Sequence, residues 1–249
     1  MLFIGLDLAW SPRNRSGGAM LREAHLVTYT GELTSNAAIL EWVTSHLRPV
    51  ESSVLAIDAP LRVPNQRGSR LCDQQLSAEW RRYEAGALPA NRRLLAYDGQ
   101  VRGEVLVDLL HQTLGFGETA PLPQQTAGRF LCEIFPHPAH VSLFQLNKTL
   151  KYKAKPRRTL ADRLAEFARY QQYLLALRTA TPALQGTDEL LQRPLTGLRG
   201  RRLKAYEDIL DAVTCAYTAA YLWHHGPQCT RVYGSLAEGH ILTPPLPSS

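Results

Sequence analysis

No stretch of the 249 residues reaches the roughly 18 uninterrupted apolar positions that a membrane-crossing helix needs. The opening Met1-Leu-Phe-Ile-Gly-Leu-Asp7 carries an acid where a secretory leader has its apolar middle. The chain is therefore expected to be neither exported nor membrane-spanning, and to work in the cytoplasm. Cysteine is sparse: Cys72, Cys132, Cys215 and Cys229 are far apart, with none of the close pairs that zinc ribbons and redox motifs use, and they read as reduced thiols. There is no internal repeat, and the tail from Pro244 to Ser249 is the one low-complexity stretch. What is present is 45% hydrophobic and 20% charged, a composition that excludes disorder and collagen-like repetition and can bury a sizeable core. Lys plus Arg is 28 against 22 for Asp plus Glu, a net charge of +6. That balance suits a polyanionic partner, and equally a protein kept soluble by modest charge.

Leu2 to Ala9 is an apolar run broken only by Gly5 and Asp7, as in a strand covered on both faces. After the turn-forming stretch Ser11 to Gly18 come two short strand candidates, Ala19 to Arg22 and His25 to Tyr29, which read as an antiparallel meander. Leu33 to Leu47 has helical spacing behind Thr34 or Ser35 as N-cap, and Ser53 to Ala59 is a second buried strand stopped by Pro60. Residues 62–125 mix helical pieces (Cys72 to Tyr83, Glu104 to Leu114) with connectors and no clear strand, which predicts a helical insertion. Arg129 to Phe135 is a third strand candidate, Arg158 to Leu177 and Leu203 to Trp223 are strong helices, and Arg231 to Ser235 with His240 to Thr243 suits a hairpin. The expected organisation is one α/β domain over residues 1–243 with a frayed tail at 244–249.

Alternation puts Phe3, Gly5 and Asp7 on one face of the first strand, and Val54, Ala56 and Asp58 on one face of the second. Each strand thus carries an acid near its C-terminal end, where ligands of open α/β sheets bind. An ionised carboxylate in a buried strand is costly unless paired or bound to a cation. Taken singly, Asp7 could bond the loop after it and Asp58 could fix the turn at Pro60. On the last helix, however, Asp208 and Asp211 are three apart on one side, beside Ala212, Ala216 and Ala219, a surface suited to close packing on a sheet. If Asp7, Asp58 and Asp211 converge within about 4 Å, each like-charge pair costs on the order of 4 kcal/mol, which protons or cations must offset. Hard divalent ions held by oxygen do so, and such ions activate water and stabilise a leaving phosphate oxygen. Converging acids on a basic chain suggest phosphodiester chemistry. Glu133 lies on the third strand with Leu131 and Phe135, where a salt bridge to an arginine is the plainer reading. His137 and His140 are neighbours on a helical turn, but no further residue has zinc-site spacing.

The segments FIGLDLAWS (3–11), IDAPL (57–61), RLCD (70–73), EIFPHPA (133–139), KYKAKPRR (151–158) and EDILDAV (207–213) occur in the order of a known family. With them the chain resembles the domain-of-unknown-function 429 family, described as predicted nucleases with an RNase H-like fold. The resemblance runs from residue 3 to about 235. More distantly, an acid on the first strand, one on the fourth and a pair on the last helix resemble RuvC-type Holliday junction resolvases. The resemblance implies an RNase H-like mixed sheet flanked by helices. It also implies that Asp7, Asp58 and Asp211 are Mg2+ or Mn2+ ligands and catalytic residues, with Asp208 assisting. RuvC-type enzymes usually have Glu where this chain has the shorter Asp58, and Glu133, in the family's Glu-x-aromatic-Pro motif, is the residue expected to supply the missing reach.

Nucleic acid is the expected partner. Lys151, Lys153, Lys155, Arg157 and Arg158 crowd around Tyr152, and Arg199, Arg201, Arg202 and Lys204 precede the acid-bearing helix. Arg70, Lys151, Lys153, Arg157, Arg201 and Lys204 are the nucleic-acid-binding candidates, and Arg70 is also expected near the site, pairing with an acid. The leading expectation is a metal-dependent nuclease. The alternative is a non-catalytic nucleic-acid-binding protein on the same fold. An actin-like kinase shares the first-strand acid and Gly-Gly turn but needs a duplicated domain and a second glycine-rich loop, for which there is little room. DNA, RNA, junction and nucleotide substrates all stay open, as does dimerisation.

Overall fold

The computed structural model of the chain describes residues 1–247. In chain order the elements are β1 (Leu2–Asp7), β2 (Ser16–Arg22), β3 (His25–Leu33), α1 (Asn36–His46), β4 (Ser53–Asp58), α2 (Leu71–Trp80), α3 (Arg92–Leu95), β5 (Ala96–Tyr97), β6 (Gln100–Val101) and α4 (Arg102–Leu114). There follow β7 (Gly117–Glu118), β8 (Arg129–Glu133), α5 (Pro136–Leu143), α6 (Leu160–Ala176), α7 (Asp188–Leu191), α8 (Gly200–His225), β9 (Arg231–Ser235) and β10 (Gly239–Thr243). Six strands form a mixed sheet in the order β3-β2-β1-β4-β8-β7. β2 and β3 run antiparallel to their neighbours, as the meander predicts, while β1, β4, β8 and β7 are parallel. No helix is long and apolar enough to cross a membrane among the described residues.

The pleat divides β1 between two layers. Leu2, Ile4 and Leu6 pack with Leu55, Ile57 and Leu131 against Ile39 and Val43 of α1 and Leu106 and Leu110 of α4. Phe3, Val54, Ala56 and Cys132 face the other way, into a layer built by α8 and α6. α8 lies almost on the strand backbones because there is no side chain beneath it. A Cβ on Gly5 would come within 1.9 Å of the Ala212 carbonyl oxygen, and one on Gly17 within 2.2 Å of the Asp208 carbonyl oxygen. Alanine at either place would require the helix to move, an overpacking cost of about 1–3 kcal/mol or more. These two glycines and the small-residue stripe of α8 set the height at which Asp208 and Asp211 meet the sheet.

Within residues 62–125, α4 packs on the sheet face beside α1 and α2 packs against the β9–β10 hairpin, but the stretch is not strand-free. β5 and β6 form a small hairpin, and β7 adds an edge to the main sheet beside β8. The strand candidate 129–135 ends two residues early at Glu133, because Pro136 opens α5 at a position where its missing N–H costs nothing. The β9–β10 hairpin forms as expected and packs Tyr233 and Ile241 against Cys72, Leu76 and Trp80. In the tail, Pro244 is buried and Leu246 packs partly against this cluster, while Ser248 and Ser249 lie outside the described residues.

Candidate functional site: a carboxylate cluster with internal lysines

β1 and β4 run in register with Asp7 opposite Asp58, so both carboxylates leave the C-terminal strand ends on the face covered by α8. Both residues are half-buried. α8 adds Asp208 and Asp211, which are 4% and 0% exposed. The four acids anticipated from sequence therefore belong to one face and one end of the sheet.

What sequence reasoning did not anticipate is the cation among them. The connection between α5 and α6 turns Tyr152 and Lys153 inward, and Lys153 Nζ lies 2.9 Å from Asp211 Oδ2. Burial works against the Lys153 charge, but Asp211, Asp7 and Asp58 together raise its pKa well above the usual lysine value. At the entrance, Lys204 Nζ donates to Asp208 Oδ1 at 2.5 Å and to Glu207 Oε1 at 2.9 Å. Lys153 and Lys204 were expected to meet phosphates; instead each is first bound to the protein's own acids.

Asp211 is the best-held member. Tyr152 donates to its Oδ1 at 2.6 Å and Tyr170 at 3.2 Å. Behind Tyr170, its hydroxyl meets Thr214 and lies 2.7 Å from His140 Nε2. Burial alone would push the Asp211 carboxyl up, yet the Lys153 ammonium, with help from the Tyr152 hydroxyl, holds it below the ordinary range. Burial drives His140 down to about 3, so its ring is neutral. His137, half-buried, is bonded to Thr149 at 2.9 Å, so neither histidine reaches the acids as a ligand. Tyr170 shares its α6 face with Phe167 and Leu174, a spacing that reads as core and carries no sign of its contact with Asp211. Tyr152 was legible only as the aromatic inside a lysine-rich motif.

Asp7 and Asp58 are the opposite case. Asp7 Oδ2 is sealed from solvent without a hydrogen-bond partner, and no hydrogen bond reaches the Asp58 carboxyl among the described residues. Burial first, and then the neighbouring acids, push both carboxyls well above the ordinary aspartate value against the pull of Lys153. Four carboxylates facing two ammonium groups leave a formal charge of −2, which two protons or one divalent cation neutralise. The donor set is all oxygen, which fits a hard cation such as Mg2+ or Mn2+. Among the described residues no three acid, histidine or cysteine side chains already stand as an assembled ligand set. The ammonium of Lys153 is paired with Asp211.

Glu133 and Arg70 are tied to each other on the opposite face of the sheet: the arginine salt bridge and the pairing of Arg70 with an acid form as expected, and Glu133, though near enough to raise the Asp58 carboxyl, does not join the four acids. β8 pairs with β4 so that Glu133 sits opposite Ile57, not Asp58, and its side chain therefore leaves the sheet on the α1 and α4 face. There Arg70 donates Nη2 to Glu133 Oε1 at 2.6 Å and Nη1 to Oε2 at 2.8 Å, and the Leu61 amide donates to the same carboxylate at 2.9 Å. Arg70 also pairs with Asp73 at 2.8 Å, closing a capping box at the start of α2. At 3% exposed, Arg70 cannot reach a phosphate backbone; it ties the Pro60–Leu61 turn to α2. Of the remaining basic candidates, Lys151 is engaged by Glu84, Arg157 is exposed on a turn of positive φ, and Arg201 is exposed and pairs with Glu32 at 3.2 Å.

Asp7 and Asp208, but not Asp58 or Asp211, also line a groove of roughly 610 Å³ whose walls include Trp10, Arg13, Arg15 and Arg201. A protein-family model described as "Protein of unknown function (DUF429)" matches residues 5–236. No curated protein and no solved structure matches the chain.

Proposed function

The chain belongs to the DUF429 family, and on that premise we propose that it is a metal-dependent nuclease of RNase H-like fold that hydrolyses phosphodiester bonds of nucleic acid. The observation that carries this reading is the pair Asp7 and Asp58. Two half-buried carboxylates side by side on parallel strand ends, one with an orphaned oxygen, are a cost that Lys153 offsets only in part. The fold assignment is supported by the antiparallel β1–β3 meander followed by α1 and a parallel β4 beside β1.

Asp7 and Asp58, with Asp208 and Asp211 behind them, would hold Mg2+ or Mn2+, which when bound lowers the pKa of a coordinated water and offsets charge on the phosphate. The chain's own groups do the rest. Tyr152 and Tyr170 fix Asp211, and Asp211 fixes the Lys153 ammonium, a permanent positive charge at the place where negative charge accumulates as a phosphodiester is attacked. Lys204, 59% exposed at the rim, is free to turn from Asp208 toward an incoming phosphate. A second reading, a binding protein without catalysis, is favoured by one observation: two of the acids already have lysine partners and need no metal.

Cleavage of single strands, duplexes, RNA–DNA hybrids and four-way junctions, with Mg2+ or Mn2+ against chelator at fixed salt, tests the choice. Asp211→Asn should lower the cleavage rate by at least about 100-fold through misplacement of its neighbours, with binding in chelator intact. Tight, salt-sensitive binding with no metal-dependent cleavage across the panel would decide for the binding protein.

A further inference from the structure

The groove leaving the acid cluster has features that hydrolysis alone does not require. Its outer wall is the loop between β1 and β2, and that loop is held from beneath. Arg102, only 8% exposed, donates Nη1 to the Ala9 carbonyl at 2.8 Å and approaches those of Ser11 and Asn14 at 3.3 and 3.4 Å. Its Nε is anchored on Asn36 Oδ1 at 3.1 Å, and the Ser16 hydroxyl accepts from the Ala9 amide. A buried guanidinium gathering three carbonyls pre-organises a loop that is otherwise short of regular structure. What the loop then presents is Trp10, 40% exposed, with Arg13 and Arg15. A partly exposed indole in a groove wall leaves apolar surface that a ligand could cover.

The same groove is lined by Arg201 and Lys204 of α8. Glu32, also in the lining, pairs with both Arg15 and Arg201. A single carboxylate of the groove thus draws together two guanidinium groups from elements far apart in sequence. A phosphate offers the same groups a closer match to their fork geometry and more charge.

We propose that this groove is a subsite for single-stranded nucleic acid, in which Trp10 stacks on one unpaired base and Arg15 and Arg201 take the adjoining phosphate from Glu32, leading the strand to the acid cluster. The inference rests on the reading of that cluster as a phosphodiester site. The geometry favours a single strand over a duplex for two reasons. One indole offers one stacking face, and only an unpaired base has a face free to meet it. A concavity of roughly 610 Å³ suits one extruded nucleotide, since ligand clefts of about 300–1,000 Å³ enclose molecules of that size, whereas a duplex needs a broad open surface.

The test is fluorescence anisotropy of labelled oligothymidine and oligouridine strands with the full chain in chelator, alongside a duplex and a mononucleotide. Trp10→Ala should weaken single-strand binding by about 5- to 150-fold, the range expected for one lost stacking contact, while Trp10→Phe retains most of it. Arg15→Gln with Arg201→Gln should flatten the dependence of log affinity on log salt by about 0.7 for each phosphate released. Glu32→Gln should tighten binding. Duplex affinity should be weaker and indifferent to Trp10, and a mononucleotide matching the strand's affinity would show that the site takes free nucleotides instead. Unchanged strand binding in Trp10→Ala and in the double arginine variant, both folded by circular dichroism, would overturn the proposal, as would no strand binding at all at low salt. The same strands with Mn2+ separate this from the nuclease reading. Cleavage that ignores Trp10 would sink the groove and leave the nuclease, and Trp10-dependent binding without cleavage would do the reverse.

Discussion

The protein buries acids at the ends of neighbouring strands on both faces of one sheet, and treats them in opposite ways. On the α4 face, Glu133 and Asp73 share the guanidinium of Arg70, and the Leu61 amide takes a further lone pair. Burial alone would weaken the Arg70 charge, but Glu133 and Asp73 raise its pKa, so the group stays a fixed structural cation. On the α8 face, Asp7 and Asp58 are left with open lone pairs while Lys153 and Lys204 serve Asp211 and Asp208. The same residue type is a rivet where its hydrogen-bonding capacity is used up and a candidate reagent where it is not. Sequence motif alone ranks the two alike, since Arg70, Asp73 and Glu133 stand in motifs as distinctive as those of Asp7 and Asp58.

The comparison breaks most decisively at Arg70. Arg70→Ala leaves two buried carboxylates without their cation and should destabilise the protein by about 3–5 kcal/mol. At roughly 2–4 °C per kcal/mol for a chain of this size, thermal melts should fall on the order of 10 °C or more. The rise in melting temperature produced by Mn2+ should survive. A wild-type melting temperature in Arg70→Ala would mean the Glu133 pair is not a structural tie.

Asp7→Asn should do the reverse. Mn2+ at one hundred times its dissociation constant stabilises by about 2.7 kcal/mol through native-state binding, and Asp7→Asn should lose most of that. In chelator the variant should equal or exceed wild type, and the sign follows from the raised carboxyls. An acid whose folded pKa stands above its ordinary 3.8 gives its full stability below 3.8, and that stability drains away as the pH climbs toward the raised value. Asp7→Asn removes one such term, so its advantage in chelator should grow with pH above the aspartate range. Melting curves with and without Mn2+ from acid to neutral pH check both halves. An undiminished Mn2+ response would place the ion elsewhere.

A pH-dependent effect, absent at neutral pH, separates the two faces further, because each cluster is backed by a buried neutral histidine. His140 stands behind Tyr170 and Asp211 with its pKa driven by burial to about 3, and His240 accepts the Glu133 amide with its own driven to about 4. Both are depressed from 6.5, so each contributes stability that is complete above that value and lost as the pH falls, at no more than about 1.4 kcal/mol per pH unit. His240→Gln should flatten the acid limb between about 6.5 and 4, and His140→Gln should do so down to about 3. Denaturant titrations across that range measure it. Parallel acid limbs in wild type and both variants would show that neither ring resists protonation in the fold.

Much was legible in the chain. The apolar pattern of Leu2 to Leu8 and Ser53 to Ala59 determines two buried strands, alternation determines that Asp7 and Asp58 share a face with small residues, and the spacing of Asp208 and Asp211 determines one side of one helix. Those are local consequences of periods 2 and 3.6. The glycines of the first two strands were visible as letters, but their use as the bed for α8 was not, because close approach is a relation between elements. The same limit decided Glu133. Alternation correctly grouped it with Leu131, yet only the pairing of β8 with β4 sets whether it stands beside Asp58 or Ile57, and a register step of one residue sends a side chain to the opposite face. Lys153 was further out of reach still. Its motif announces charge, and charge ordinarily faces water, so local physics pointed it toward phosphate. Tertiary structure decided that the connection from α5 to α6 folds back over the strand ends and places the ammonium 2.9 Å from Asp211. A single chain position can be solvated, paired or buried at nearly equal local cost, and the choice belongs to whichever distant carboxylates the fold brings within reach.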